Sequence, residues 1–187
     1  MTVEEIFIKL NEHMIKGLMI HDQMASAYSF LNLCGYQKCH TYHYFDESCN
    51  YRCLQDFYLE NYHKLIPETE IKNPEIIPST WYKYAKTDVD TNTKRTAVRD
   101  MIKMWVEWET DTKKLLEESY KELYDMGEIY ASRKILCFLE DVGHELKKAQ
   151  DKYINLEAIN YDINYIINEQ RDLYHKYKNK ILDIFER

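Results

Sequence analysis

A chain of 187 residues with 45% apolar and 30% charged residues can fill one core, and a net charge of −7 excludes a broad basic face for nucleic acid. Four glycines and three prolines exclude a turn-rich β fold and favour long uninterrupted helices. No window is apolar over the length of a membrane span, and "MTVEEIFIKLNEH" carries early acids rather than a signal sequence. The expectation is a cytoplasmic protein with its five cysteines reduced.

The first helix is predicted to start at Thr2, with Glu5 at capping-box spacing. Its stripe is Ile6, Leu10, Met14, Gly17, Met24, Tyr28 and Leu31, and Gly35 is read as its stop. A second helix runs from about Tyr36 to Ile66 and ends at Pro67. Segment 67–93 holds all three prolines and reads as a connection crossing the whole molecule, with a short turn around Trp81 to Tyr84. The third helix runs from about Lys94 to Met126 on the stripe Val98, Ile102, Trp105, Thr112, Leu116 and Leu123, and Gly127 breaks it. The fourth runs from Glu128 to Tyr153 with Ile135, Leu139, Val142, Leu146 and Ala149 on one face. Asn155 is placed as the cap of a fifth helix reaching the C-terminus, with Ile159, Ile163, Ile166, Tyr174, Tyr177, Ile181 and Phe185 as its stripe.

Two hairpins joined by one long crossover make an all-α, ferritin-like four-helix bundle with an added C-terminal helix. The chain reads as a single domain over 1–187: a first hairpin at 1–66, the crossover at 67–93, a second hairpin at 94–153 and the last helix at 154–187. That aromatic last helix makes a homodimer plausible.

Metal sites in such bundles need carboxylates and histidines aimed at the core. Two pairs have carboxylate-x-x-His spacing, Asp141 with His144 and Glu60 with His63. At 100° per residue both fall opposite the apolar stripe, so both are read as solvated faces. The same test turns His13, His21, His40, His43, Glu47 and Glu109 inward, and gives the fourth helix no inward carboxylate. Reflecting the first hairpin about Cys34–Gly35 brings His21 level with His43 and Glu47. Buried charge must be paired or bind a metal. Beside acid–base catalysis by the same residues, two accounts of the cluster stay open. One is a hydrogen-bonded network of His, Glu and Tyr. The other is a metal site using His21, His43, Glu47 and Glu109, with His40 as a possible further ligand. No phosphate loop and no nucleophile elbow is present, and Trp105 and Trp108 read as core.

The segment "HYFDESCNYRCLQDFYLENYHKLI" resembles the ferritin-like superfamily, and in particular small ferritin-like proteins of phages and mobile elements of Gram-positive bacteria. Laying Tyr44 and Phe45 on the aromatic pair of that family puts its E-x-x-H near Tyr51 and Leu54, which cannot replace a carboxylate and a histidine. The resemblance implies a cytoplasmic location and a role against host machinery.

The leading expectation is therefore a non-enzymatic, acidic helical interaction protein without a cofactor. It would bind a host protein, such as a basic nucleic-acid-binding defence component, by charge complementarity, without touching nucleic acid or membrane itself. The alternative is a ferritin-like oxidase or storage protein holding iron or manganese in the bundle core.

Overall fold

The computed structural model describes residues 1–67, 69, 71, 76–78, 81, 84, 86 and 88–185, the last without its side chain. Among them are five helices: α1 (Val3–Phe30), α2 (Cys34–Tyr62), α3 (Thr91–Asp125), α4 (Ile129–Ala158) and α5 (Ile163–Phe185). α1 pairs with α2 and α3 with α4 as two hairpins of a four-helix bundle, and α5 packs along α2.

Local chemistry sets each boundary. Thr2 and Glu5 close a reciprocal capping box, with Glu5 N–H donating to Thr2 Oγ1 and Thr2 N–H to Glu5 Oε2. Asp90 caps α3 by accepting from Thr93 N–H at 2.9 Å. After α3, Gly127 takes φ +82°, and Glu128 N–H reaches back to the Leu123 carbonyl at 2.9 Å. This αL turn is the stop read from the sequence.

Three boundaries differ from the sequence reading. Gly35 does not stop α1: the chain turns at Asn32 (φ 60°), and Leu33 N–H bonds the Tyr28 carbonyl at 2.9 Å. Gly35 lies inside α2, where a Cβ would stand 1.9 Å from the Gln170 carbonyl oxygen. Its role is to let two backbones touch. α2 ends at Tyr62, with His63 in the left-handed region (φ 57°), before Pro67 is reached. α4 runs on through Asn155 to Ala158, and Asp162 caps α5 by accepting from the N–H groups of Asn164 and Tyr165.

His13 contacts Thr112, so α1 and α3 run antiparallel with the ends of both hairpins level. The chain must therefore return the full bundle length between α2 and α3. The described part of this connection includes the Trp81 turn, where Tyr84 N–H bonds the Trp81 carbonyl at 2.9 Å. Trp81 is buried and stacks on Phe30. α5 lies along α2 in the same direction, from Gly35 against Gln170 to His43 beside Tyr177. Tyr36 donates to Glu169 at 2.5 Å and Lys152 of α4 pairs with the same residue, so Glu169 ties α5 to both helices.

Apolar burial forms two clusters. One gathers Ile6, Phe7, Leu10, Leu54, Leu116, Leu123 and Ile135 at the end where α1 begins. The other gathers Met24, Tyr28, Leu31, Val98, Ile102, Trp105 and Ala149 toward the opposite end. The polar centre described next lies between them. No helix among the described residues is long and apolar enough to cross a membrane.

Candidate metal centre

α1 and α2 supply the imidazoles. His21 (0% exposed), His40 (0%) and His43 (3%) are enclosed. The Nδ1 atoms of His21 and His40 are 3.0 Å apart, and the His21 and His43 rings stack at 5.2 Å. Trp105 of α3 closes the group edge-on to His40 and tilted on His43. His21 thus meets the two histidines of α2 rather than Glu47. The turn lies nearer Asn32 than Gly35, which shifts the antiparallel register.

The carboxylates sit beside them on α2, α3 and α4. Glu109 is 3% exposed and accepts from Trp105 Nε1 at 2.9 Å. Glu47 packs next to Gly17, whose missing side chain leaves room for it and for the Trp108 ring. Glu145 stands with Oε2 3.7 Å from His43 Nδ1, while its other oxygen pairs with Lys148 at the surface. Glu145 corrects the expectation that α4 offers no inward carboxylate. The buried line of α4 includes Ile135, Phe138 and Ala149, and Glu145 lies on it, seven after Phe138 and four before Ala149. Phe138 is buried and Leu139 only half-buried, so the inward face is centred one residue before the stripe read from the sequence. Asp46 is the other residue missed, half-buried next to Glu47.

Asp141, His144, Glu60 and His63 are all exposed, as their angles required. Of the proposed set, His21, His43 and Glu109 are buried, as is His40, and Glu47 is half-buried beside Gly17; the three histidines contact one another, and Glu109 is bonded to the Trp105 that touches two of them.

Burial controls the charge of this centre. Desolvation pushes His21 down to about 3, and drives His40 and His43 well below the ordinary histidine value. The imidazoles are neutral at pH 7. Desolvation raises Glu47 to about 8, with Glu109, Asp46 and Glu145 adding repulsion and Trp108 partly offsetting it. Glu109 is raised to about 7 by burial, less the stabilising bond from Trp105. Asp46 is raised for the same first reason, then by Glu145 and Asp141. The centre is a set of neutral nitrogen donors beside acids that burial holds partly protonated.

Several of its atoms are unsatisfied. Nε2 of His21, His40 and His43 and Oε2 of Glu145 are buried without a hydrogen-bond partner among the described residues. Such groups are few in folded proteins and each needs a cause. The donor types, imidazole and carboxylate, are those of iron and manganese sites. As they stand, no three His, Cys, Asp or Glu side chains among the described residues converge on one point at ligand distance. The fit is one of donor chemistry and location.

No protein-family model and no curated protein sequence matches the chain. Solved structures do. A humanized archaeal ferritin superposes with a TM-score of 0.76 at 16% identity, over 92% of this chain and 94% of that one. The open-pore ferritin of the hyperthermophilic archaeon Archaeoglobus fulgidus gives 0.75 at 14% identity, over 92% and 95%. A form of that ferritin engineered to be closed gives 0.75 at 15%, over 92% and 94%. At such identities the likeness establishes the fold and leaves activity to the chain's own residues.

Proposed function

We propose that this chain is a ferritin-like metal-binding protein whose central histidine–carboxylate cluster takes a divalent cation of the iron–manganese class. The observation that supports this reading is the group of unsatisfied Nε2 atoms on His21, His40 and His43, in a bundle interior where burial also holds Glu47 and Glu109 partly protonated. A hydrogen-bonded network built only for stability would satisfy those atoms or replace them with apolar side chains. His43, Glu47 and Glu109 would hold the cation, with His21 and Glu145 closing the set and His40 orienting His21. A bound iron or manganese would supply redox chemistry that no side chain of this centre can supply alone. Around it, Trp105 orients Glu109, and the two apolar clusters exclude water.

Metal analysis after growth with iron and manganese tests the reading. Stoichiometric metal lost in His43→Ala and Glu47→Ala supports it. A preparation without metal, whose stability is the same with and without chelator and with added Mn²⁺ or Fe²⁺, overturns it.

A second reading, the acidic interaction protein of a phage or mobile element, is favoured by one surface. Tyr124 (56% exposed), Met126, Ile129 and Tyr130 (77%) cap the α3–α4 end, together with the acids Glu122, Asp125 and Glu128. An apolar tip rimmed by acid suits a partner carrying an apolar spot among basic side chains, such as a nucleic-acid-binding host protein. Retention of a basic partner from lysate at low salt, lost in Tyr130→Asp, would support it. Identical binding by the variant would remove the tip from consideration.

A further inference from the structure

We propose that the cleft between α1 and α3 is the route by which the cation reaches the centre, and that His13 is its gate. This rests on the metal-binding reading above.

His13 is the inward histidine of the sequence that the centre does not use. It lies stacked on Trp108, ring centroids 4.0 Å apart and planes within 11°. Its Nε2 is 2.7 Å from Thr112 Oγ1. The Thr112 hydroxyl already donates to the Trp108 carbonyl at 2.8 Å. His13 Nε2–H is therefore the donor, and His13, Thr112 and Trp108 form one latch.

Cavities lie on both faces of this latch. Outside is a cleft of about 690 Å³ lined by His13 and Trp108 together with Lys9, Lys16 and Asp111. Inside is a void of about 20 Å³ with mostly apolar walls, Leu10, Met14 and Phe138 among them, whose polar groups are His13, Thr112, Asn50 and Glu47. A volume of that size holds one water-sized particle, with four polar groups on its walls to bond it. His13 and Leu115 line both cavities, and Glu47 lies at the inner end. The Trp108 ring and the Glu47 carboxyl both pack on Gly17, where a Cβ would stand 2.9 Å from the ring and 3.3 Å from the carboxyl carbon. Swinging one imidazole off Trp108 joins the cleft to the void without moving a helix. Such rotations are fast compared with helix displacement, so a latch of this kind sets an on-rate without altering the bound state.

The competing approach is the cleft of about 460 Å³ between α4 and α5, which reaches Trp105. Glu169 lines it, held by both Tyr36 and Lys152, and the small void that touches Glu47 has no lining residue in common with it.

The test is stopped-flow uptake of Co²⁺ by the full chain, read by ligand-field absorption and by quenching of Trp105 fluorescence, beside equilibrium affinity. His13→Ala and Thr112→Val are expected to raise the uptake rate about tenfold while the Kd stays within about twofold. Circular dichroism confirms that each variant is folded, and Thr112→Val carries the test if His13→Ala is not. Co²⁺ bound with an unchanged rate in both variants overturns the gate. Acceleration by Lys152→Ala instead assigns entry to the α4–α5 cleft and also overturns it. Failure of the unmodified chain to bind Co²⁺ at all overturns the metal-binding reading itself.

Discussion

His21 and His40 face each other through like atoms, Nδ1 to Nδ1 at 3.0 Å. Only one of the two nitrogens can carry the hydrogen, so the two rings are held in opposite neutral tautomers. One Nε2 is then an open lone pair and the other an N–H, and both are buried without a partner among the described residues. The pair always offers one ligand-competent nitrogen, and each ring dictates the state of the other.

This coupling is measurable. His40→Leu leaves His21 Nδ1 unsatisfied, and His21→Leu does the same to His40. Each is expected to cost about 2 kcal/mol in urea unfolding. The double variant removes both polar groups and is expected to lose less than the two single losses together. Strict additivity would show that the 3.0 Å contact carries no energy.

Stability is expected to peak near neutral pH and fall on both sides. His13 (about 4), His21 (about 3), His40 and His43 are all depressed in the folded state. Below the ordinary histidine value of 6.5 the unfolded chain gains their protons first, so their contribution is lost as pH falls toward about 4. Glu47 (about 8) and Glu109 (about 7) are raised, so the folded chain holds protons that the unfolded one has released above 4.5. Their contribution is lost as pH rises through those values. Between 4.5 and 6.5 the four histidines outnumber the two glutamates, and the net slope is upward. Urea midpoints across pH 4.5 to 9 check this. A midpoint that rises steadily to pH 9 would contradict the raised carboxylates.

Metal binding is expected to release protons. Glu47 and Glu109 hold a substantial share of theirs at pH 7, and a cation must displace them. Calorimetric heats of Mn²⁺ binding in buffers of different ionisation enthalpy should give about one proton released near pH 7. Glu47→Gln is expected to weaken binding at least about tenfold and reduce that number.

Two glycines should respond oppositely to alanine. Gly35→Ala drives a methyl into the Gln170 backbone and is expected to cost about 3 kcal/mol, with α5 becoming sensitive to protease. Gly143→Ala meets nothing within 4 Å inside a helix and is expected to stabilise by about 0.5–1 kcal/mol. Thermal unfolding of both variants, with limited proteolysis of Gly35→Ala, checks the pair.

The comparison of these two glycines also marks where reading the sequence stops. A glycine between helical stripes signals a stop when only local chain geometry is considered, and at Gly127 that reading holds because the turn needs φ +82°. At Gly35 the cause is the backbone of Gln170, distant in the chain, and nothing within a helical window reports it. Periodicity alone carried the five helices, the crossover, and the outward aim of Asp141, His144, Glu60 and His63, because a 3.6-residue repeat specifies which side of a helix meets the core. It also turned His21, His40, His43 and Glu109 inward. Glu145 escaped it, since a one-residue change in the centre of an apolar stripe swings a boundary residue from surface to interior. Partners across helices depend on register, and register depends on where the turn tightens and how α5 wedges against α2. The meeting of His21 with His40, the latch of His13 on Trp108 and the place of Glu145 beside His43 were decided only there, by packing between segments far apart in the chain.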